Sequence, residues 1–268
     1  MAEEGSSPPP SLRHPWPVRL THWLNLVFLL AMLGSGLQIF NAHPALYWGD
    51  RSDTDKAWLA LEARRDPQTG QPVGVTRLFG HEFRTTGLLG VSHDRPRGFP
   101  AWATIPGMQW LAMGRRWHLF FAWLLVINAL VYIGYSARSR HLIRDLVPRR
   151  AQLRAFGTTL RHHFSLRRLR EESERGYNVL QQLSYLAVVF VLGPLIVLTG
   201  LAMSPWLNAA VPLPDLFAGR QSARSLHFLV AFAFVLFTVV HVAMVALVGP
   251  VRHLRAMITG WLPPRRAP

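Results

Sequence analysis

The sequence predicts an all-α membrane protein, a bundle of four transmembrane helices. Half of the 268 residues are hydrophobic, and they concentrate in four stretches of about 20 residues, long enough to cross the apolar core of a bilayer. None of these stretches contains Asp or Glu. The predicted spans are residues 18–40, 117–136, 179–203 and 225–248.

The first predicted span has the flanks of a retained membrane helix. Pro15 and Pro17 precede its apolar core and favour a helix start. Its C-terminal end is bulky and offers no small-residue cleavage site, so we expect the span to be retained rather than removed as a signal peptide. Gly34 and Gly36 give this helix a small-residue surface that a neighbouring helix or a cofactor can approach closely.

Basic residues are distributed unevenly between the polar segments. Residues 137–176 contain eleven Arg against four acidic residues, and the C-terminal tail adds four more Arg. The positive-inside rule therefore predicts a multi-pass membrane protein with both termini and this basic segment in the cytoplasm. This topology, with contacts to acidic membrane lipid, explains the net charge of +15 better than nucleic-acid binding does.

A long loop, residues 41–113, separates the first two spans and is predicted to lie outside the cytoplasm. It is rich in Gly, Pro and Trp, and it is long for a connection without structure of its own. We therefore expect this extracytoplasmic loop to pack as a surface for a partner.

The candidate metal ligands of the chain are histidines. The sequence has no Cys, which excludes covalent haem attachment, Cys-bound iron–sulfur clusters and disulfides. Four of the twelve His residues lie in the predicted spans, and by depth they form two pairs: His22 with His241, and His118 with His227. His227 and His241 are 14 residues apart, so one helix presents both on nearly the same face, about 21 Å apart along its axis.

Ionisable residues inside a membrane are rare and usually functional. Neutral imidazoles on both sides of an iron hold a b-type haem without covalent attachment. A proton relay or metal-transport path also uses membrane His residues, but it usually includes acidic residues, and the four spans contain none. A membrane anchor in which the His residues only pack is a further alternative.

Arg residues precede three of the four His residues by three positions, which places them on the same helix face. Arg19 lies before His22, Arg115 before His118, and Arg224 before His227. A guanidinium at this position predicts an ion pair with a haem propionate. The alternative is that each Arg side chain extends toward the membrane surface at the end of its span.

Several motifs resemble the bacterial cytochrome b561 and nickel–iron hydrogenase b-subunit family, which includes the b subunits of formate dehydrogenases. A segment that opens the third span, residues 177–181, is similar to the family's Tyr-Asn-x-Gly-Gln, with Leu180 in place of Gly. The other motifs are Arg19-Leu20-Thr21-His22-Trp23, Arg116-Trp117-His118, and His227 with His241 fourteen residues later on the fourth span. The resemblance covers the four-span core and implies a protein of the bacterial cytoplasmic (inner) membrane.

The resemblance implies four helices packed around two stacked b haems. His22 and His241 would bind the inner haem, and His118 and His227 would bind the outer haem. This assignment agrees with the pairing that follows from depth alone.

The resemblance also implies that quinone is the substrate near the inner haem. There, Asn178 matches the family's quinone-contacting Asn, and Gln181 matches its neighbour. A hydrogen bond from the amide to a quinone carbonyl is one interpretation of Asn178. A helix cap is the other.

Together these features predict the electron-transfer subunit of a membrane oxidoreductase complex. It would be a di-haem b-type cytochrome that transfers electrons between the quinone pool and an extracytoplasmic redox subunit, such as a molybdenum oxidoreductase or a hydrogenase. The long loop, with His81-Glu82-Phe83-Arg84, resembles b subunits that accompany periplasmic molybdenum oxidoreductases. Two alternatives remain: a stand-alone cytochrome b561 that acts on a small oxidant, and a proton or metal transporter.

Overall fold

The structure is a computed structural model that describes residues 11–140, 142–154, 157 and 179–262. Within these residues four helices are long and apolar enough to cross a membrane, which confirms the predicted four-helix membrane fold. A shorter helix, Pro250–Thr259, follows the last of them. The five helices are α1 (Trp16–Phe40), α2 (Leu111–Arg138), α3 (Val179–Ala202), α4 (Arg220–Val248) and α5 (Pro250–Thr259).

Helices α2 and α4 begin before the apolar stretches that predicted them. Their additional turns contain Arg115, Arg116 and Arg220, whose charge lowers the local hydropathy without interrupting the helix. Hydropathy therefore marks the part of each helix that suits a bilayer, while the helix itself continues until its backbone hydrogen bonding ends.

The long helices have apolar outer faces. Several of their large side chains are more than half exposed, as expected of surfaces that contact lipid rather than water. These residues include Leu30, Trp123, Leu130, Leu236 and Val239.

Helix α3 contains a π-helical stretch, Val188–Leu192, between its two α-helical parts, Val179–Ala187 and Gly193–Ala202. Pro194 lies two residues after this stretch ends at Leu192. Proline has no N–H and its ring clashes with the carbonyl four residues earlier, here that of Phe190. The wider π turn accommodates this missing hydrogen bond inside an otherwise continuous helix.

The remaining elements are short. The described residues include eight strands: β1 (Ser11–Leu12), β2 (Ala45–Leu46), β3 (Leu59–Arg65), β4 (Pro72–Leu78), β5 (His81–Arg84), β6 (Val91–Ser92), β7 (Arg95–Pro96) and β8 (Trp261–Leu262). The short helical turns are Thr54–Lys56, Ala101–Ala103, Leu142–Leu146, Arg150–Arg154, Pro205–Asn208 and Leu213–Phe217.

By their contacts the residues divide into two compact units, and each unit includes parts of all four long helices. Unit one consists of Met1–Asn25, Ile127–Val191 and Phe234–Pro268. Unit two consists of Leu26–Val126 and Leu192–Ala233.

In unit one the two ends of the described chain meet. Strand β1 pairs with β8 in an antiparallel ladder. Helix α5 is tied to α1 by side-chain donors: Trp23 Nε1 donates to the Met257 carbonyl at 3.3 Å, and the Arg19 guanidinium donates to the Ile258 carbonyl. The start of α1, which contains His22, is therefore held by the C-terminal helix.

In unit two the connection between α1 and α2 folds as an antiparallel sheet in the order β2-β3-β4-β5, followed by the β6–β7 hairpin. Phe40, Leu46 and Leu61 form its buried core, against which Trp58 and Phe228 pack. The sheet thus lies on the end of α1 and the start of α4. The predicted all-α bundle is confirmed for the spans, and this sheet is an addition that the sequence analysis did not predict.

The sheet is not apparent in the sequence because its signals are weak. The two-residue turn between β4 and β5 is Phe79-Gly80, with positive φ at both residues (48° and 82°). Such turns usually contain Asn-Gly or Asp-Gly, and phenylalanine rarely adopts this conformation. Strand β5 is exposed along its whole length. Because neither of its faces is buried, it lacks the alternation of apolar and polar residues that indicates a strand in a sequence.

Asn128 connects α2 to α1 within unit one. Its buried amide nitrogen donates to the Thr21 carbonyl at 2.9 Å and to Asn25 Oδ1 at 2.7 Å. Interhelical hydrogen bonds of this kind contribute modestly in membranes, about 0.6 kcal/mol on average and about 2 kcal/mol at most. Here one amide serves two acceptors beside His22.

We expect Asn128→Leu to destabilise the fold by about 1 kcal/mol, because both acceptors lose their donor in an apolar environment. Thermal unfolding of the detergent-solubilised protein measures the effect. Ile127→Leu, on the exposed face of the same helix turn, is the matched control. Equal unfolding midpoints for Asn128→Leu and the control would contradict this role.

Candidate cofactor sites

The structure brings the four predicted His residues together as two pairs. The rings of His22 and His241 face each other with centroids 6.1 Å apart and planes at 61°. The rings of His118 and His227 do the same at 6.1 Å and 62°. Each pair lies within one unit, the first in unit one and the second in unit two.

This separation fits a metal between the two rings. A metal–imidazole bond is about 2 Å long, so two imidazoles on opposite sides of one metal have centroids roughly 6 Å apart. Within the described part of the chain, no group of three or more metal-ligating side chains comes together. Each pair is thus a two-ligand set, the number of axial ligands that a haem iron takes.

The His118–His227 site has a hydroxyl group behind each imidazole. Ser35 Oγ, on α1, lies 3.1 Å from His118 Nδ1, and Thr199 Oγ1, on α3, lies 3.1 Å from His227 Nδ1. Both hydroxyl-bearing residues are fully buried. When Nδ1 of an imidazole is hydrogen-bonded in this way, Nε2 is left to bind a metal.

A glycine follows each of these hydroxyl residues and permits close packing. A Cβ atom at Gly36 would lie 3.3 Å from His118 Cε1, and one at Gly200 would lie 3.3 Å from His227 Cε1. Each imidazole therefore rests against bare helix backbone. Gly36 was predicted from the sequence to permit close approach, but Ser35, Thr199 and Gly200 were not singled out. The pattern that could have identified them is a hydroxyl residue followed by Gly, which occurs in two of the spans as Ser35-Gly36 and Thr199-Gly200.

The His22–His241 site has aromatic neighbours. Phe237, one helical turn before His241, stacks on its ring at 5.9 Å and 18°. Tyr185, on α3, contacts the same ring edge-on at 6.5 Å, and Trp23 lies edge-on to His22 at 5.4 Å. The sequence analysis did not single out Tyr185 or Phe237, because an aromatic residue on an apolar helix has no distinguishing pattern.

The Arg19 side chain retains a donor that its predicted role could use, whereas the Arg224 guanidinium is bonded to the loop. Besides its bond to the Ile258 carbonyl, Arg19 has a buried Nε that finds no hydrogen-bond partner in the described residues. A buried guanidinium nitrogen without an acceptor is costly, and a carboxylate would satisfy it. A haem propionate beside His22 fits this position.

The guanidinium of Arg224 is hydrogen-bonded to the loop that follows α1. It donates to the carbonyls of Ala45 (3.0 Å) and His43 (2.5 Å) and lies over the Phe40 ring at 5.4 Å. Burial lowers the pKa of the His43 imidazole, and the nearby Arg224 charge lowers it further. His43 is therefore disposed to stay neutral beside this cation.

The predicted quinone residues lie at the start of α3. Asn178 falls outside the described residues. Gln181 occupies the first turn of the helix and is half-buried, and Gln182 beside it is buried. Tyr185 lies one turn further along α3, and its ring contacts the His241 ring, so this end of the helix lies near His241.

Comparison with known proteins agrees with the predicted resemblance. A family model described as prokaryotic cytochrome b561 matches residues 13–260. A putative protein-methionine-sulfoxide reductase subunit, YedZ1, of Azospira oryzae is 29% identical over 252 residues, which cover 93% of this chain and 96% of the relative. No solved structure matches the chain. The chain therefore belongs to the prokaryotic cytochrome b561 family, as a membrane b-type cytochrome that transfers electrons.

Proposed function

We propose that this protein is the di-haem membrane subunit of an oxidoreductase complex, which transfers electrons between the quinone pool and an extracytoplasmic redox subunit. The observation that supports it best is the presence of two imidazole pairs with the same 6.1 Å ring separation. One pair would suffice for a single haem. Two pairs provide the ligands for two.

The four His side chains have one task in this proposal, which is to hold the cofactors. Haem, when bound, supplies the one-electron chemistry. His22 with His241 would hold one haem iron between two imidazoles, and His118 with His227 would hold the other. A site without an open position favours electron transfer over reaction with oxygen. Arg19 would pair with a propionate through its unpartnered Nε, and Arg224 would do so in addition to its bonds to the loop.

The quinone site in this proposal lies at the start of α3, on the side of the His22–His241 pair. Asn178 and Gln181 would donate amide hydrogen bonds to quinone carbonyls. The basic segment, residues 137–176, precedes α3 and would place this end of the helix at the cytoplasmic face of the inner membrane.

The redox partner would dock on the sheet of unit two. Trp48, Trp58 and Phe79 form an aromatic stack, with ring centroids 6.0 and 5.6 Å apart and nearly parallel planes. Trp58 Nε1 donates to Ser225 Oγ at 3.1 Å, two residues before His227 on α4. The stack therefore joins the loop surface to the helix turn that contains a predicted haem ligand.

The exposure of the stack supports a docking role. Phe79 is 70% exposed and Trp48 is 53% exposed. The relative from Azospira oryzae is named as a putative subunit of a reductase. We infer that this chain likewise acts as one subunit and that its partner is an extracytoplasmic oxidoreductase, such as a molybdenum enzyme.

We expect single His substitutions to remove the haems in pairs. His22→Ala and His241→Ala should each abolish the same haem, and His118→Ala and His227→Ala should each abolish the other. Dithionite-reduced minus oxidised spectra and haem content of the purified variants measure this. His93→Ala, an exposed loop residue, is the control and should keep both haems.

Two outcomes would contradict the proposal. Wild-type protein with no b-type absorbance after reduction would exclude haem binding. Loss of the same haem in His241→Ala and His118→Ala, with the other retained, would show that the imidazole pairs are wrongly assigned.

Substitution of the stack should weaken partner binding without affecting the haems. We expect the double variant Trp48→Ser with Phe79→Ser to lose most of the oxidoreductase subunit that copurifies with the tagged wild-type chain from its native membranes. Trp102→Ser, which is 76% exposed in the same loop but outside the stack, is the matched control. Purification of the wild type as a single polypeptide, or equal recovery of the partner in all variants, would contradict this docking site.

A further inference from the structure

The two imidazoles of the His118–His227 site are supported in the same way by two different helices. Ser35-Gly36 on α1 supports His118, and Thr199-Gly200 on α3 supports His227. In both cases the hydroxyl oxygen is 3.1 Å from Nδ1, and a Cβ on the glycine would be 3.3 Å from Cε1. Two unrelated packing residues would not be expected to match so closely.

The hydrogen-bond pattern determines which atom of each imidazole has the proton. Ser35 Oγ donates its own hydrogen to the Ala31 carbonyl at 2.6 Å, and Thr199 Oγ1 donates to the Leu195 carbonyl at 2.7 Å. A hydroxyl has one hydrogen to donate, so toward His118 and His227 each oxygen must act as the acceptor. Nδ1 of both imidazoles is therefore protonated, and the Nε2 lone pair of each is left to bind a metal.

The other pair has a different set of neighbours. The ring neighbours of His22 and His241 among the described residues are the aromatic side chains Trp23, Tyr185 and Phe237. The two sites thus have the same ring separation but different environments behind the ligands.

We propose that Ser35 and Thr199 are positioning residues that fix the tautomer of both ligands of one haem, strengthen them as electron donors, and lower the midpoint potential of that haem alone. The inference rests on the proposed di-haem function. A hydrogen bond from Nδ1–H to an oxygen acceptor raises the basicity of Nε2, and a more basic ligand stabilises the oxidised iron more than the reduced iron. Removal of the hydroxyl should therefore raise the potential.

The experiment is a redox titration of full-length protein in the His241→Ala background, which leaves only the His118–His227 haem. Ser35→Ala and Thr199→Val should each raise the ratio of reduced to oxidised haem at a fixed ambient potential by about tenfold, which equals about 59 mV for a one-electron couple. The low-spin ferric EPR signal of the same haem should shift in both variants, because the donor strength of an axial ligand changes.

Three control variants distinguish the effect of losing the hydroxyl group from the effect of changing the side-chain volume. Ser35→Thr and Thr199→Ser keep the hydroxyl and should keep the wild-type potential. Ser184→Ala removes a hydroxyl of α3 that donates to the carbonyl four residues earlier in the same way, at 2.7 Å, without an imidazole contact among the described residues. It should leave the potential unchanged. If Ser35→Ala binds no haem, Thr199→Val and the two hydroxyl-retaining variants decide the result.

Unchanged potentials in Ser35→Ala and Thr199→Val would overturn the proposal, as would an equal rise in Ser35→Thr, Thr199→Ser or Ser184→Ala. These results differ from failure of the proposed function. That failure would appear as wild-type protein without two haems, before any hydroxyl is removed.

Discussion

The opposition of two imidazoles in an apolar environment is the constraint on which the rest of the structure depends. An unpartnered imidazole costs free energy when buried in a membrane, so each ring must be oriented and its nitrogens satisfied. The separation of 6.1 Å in both pairs requires helices close enough for the rings to meet. Bare backbone at Gly36 and Gly200 permits this approach at one pair. Helix α5, through Trp23 and Arg19, restrains the start of α1 at the other.

The loop between α1 and α2 connects these helices to the protein surface. Its sheet packs on Phe40 and Phe228, so the ends of α1 and α4 are ordered by the same core that orders the strands. Trp58 bonds to Ser225, and Ser225 Oγ in turn donates to the Tyr47 carbonyl at 2.6 Å. These bonds tie the loop surface to the turn of α4 that precedes His227. In the proposed function, a partner docked on this surface would lie near the haem that His227 would hold.

The sequence predicted the spans and the pairing of the histidines, because hydropathy and helical spacing are strong signals over 20 residues. It did not predict Ser35 or Thr199, since a hydroxyl within an apolar helix more often bonds only to its own backbone. It also missed the sheet, whose Phe79-Gly80 turn lacks the usual composition and whose edge strand is exposed. The π-helical stretch before Pro194 follows from the chemistry of proline, but its position depends on tertiary packing. Asn178 lies outside the described residues, so its role stays a prediction.

The central claim is that each imidazole pair holds one haem by two histidines. Near-infrared magnetic circular dichroism of the purified wild-type protein, together with a haem-to-protein assay, tests this most directly. The account predicts two low-spin haems b per chain, both with the charge-transfer band of bis-histidine ligation. One haem per chain, a high-spin signal, or a band that indicates a different axial ligand would contradict it.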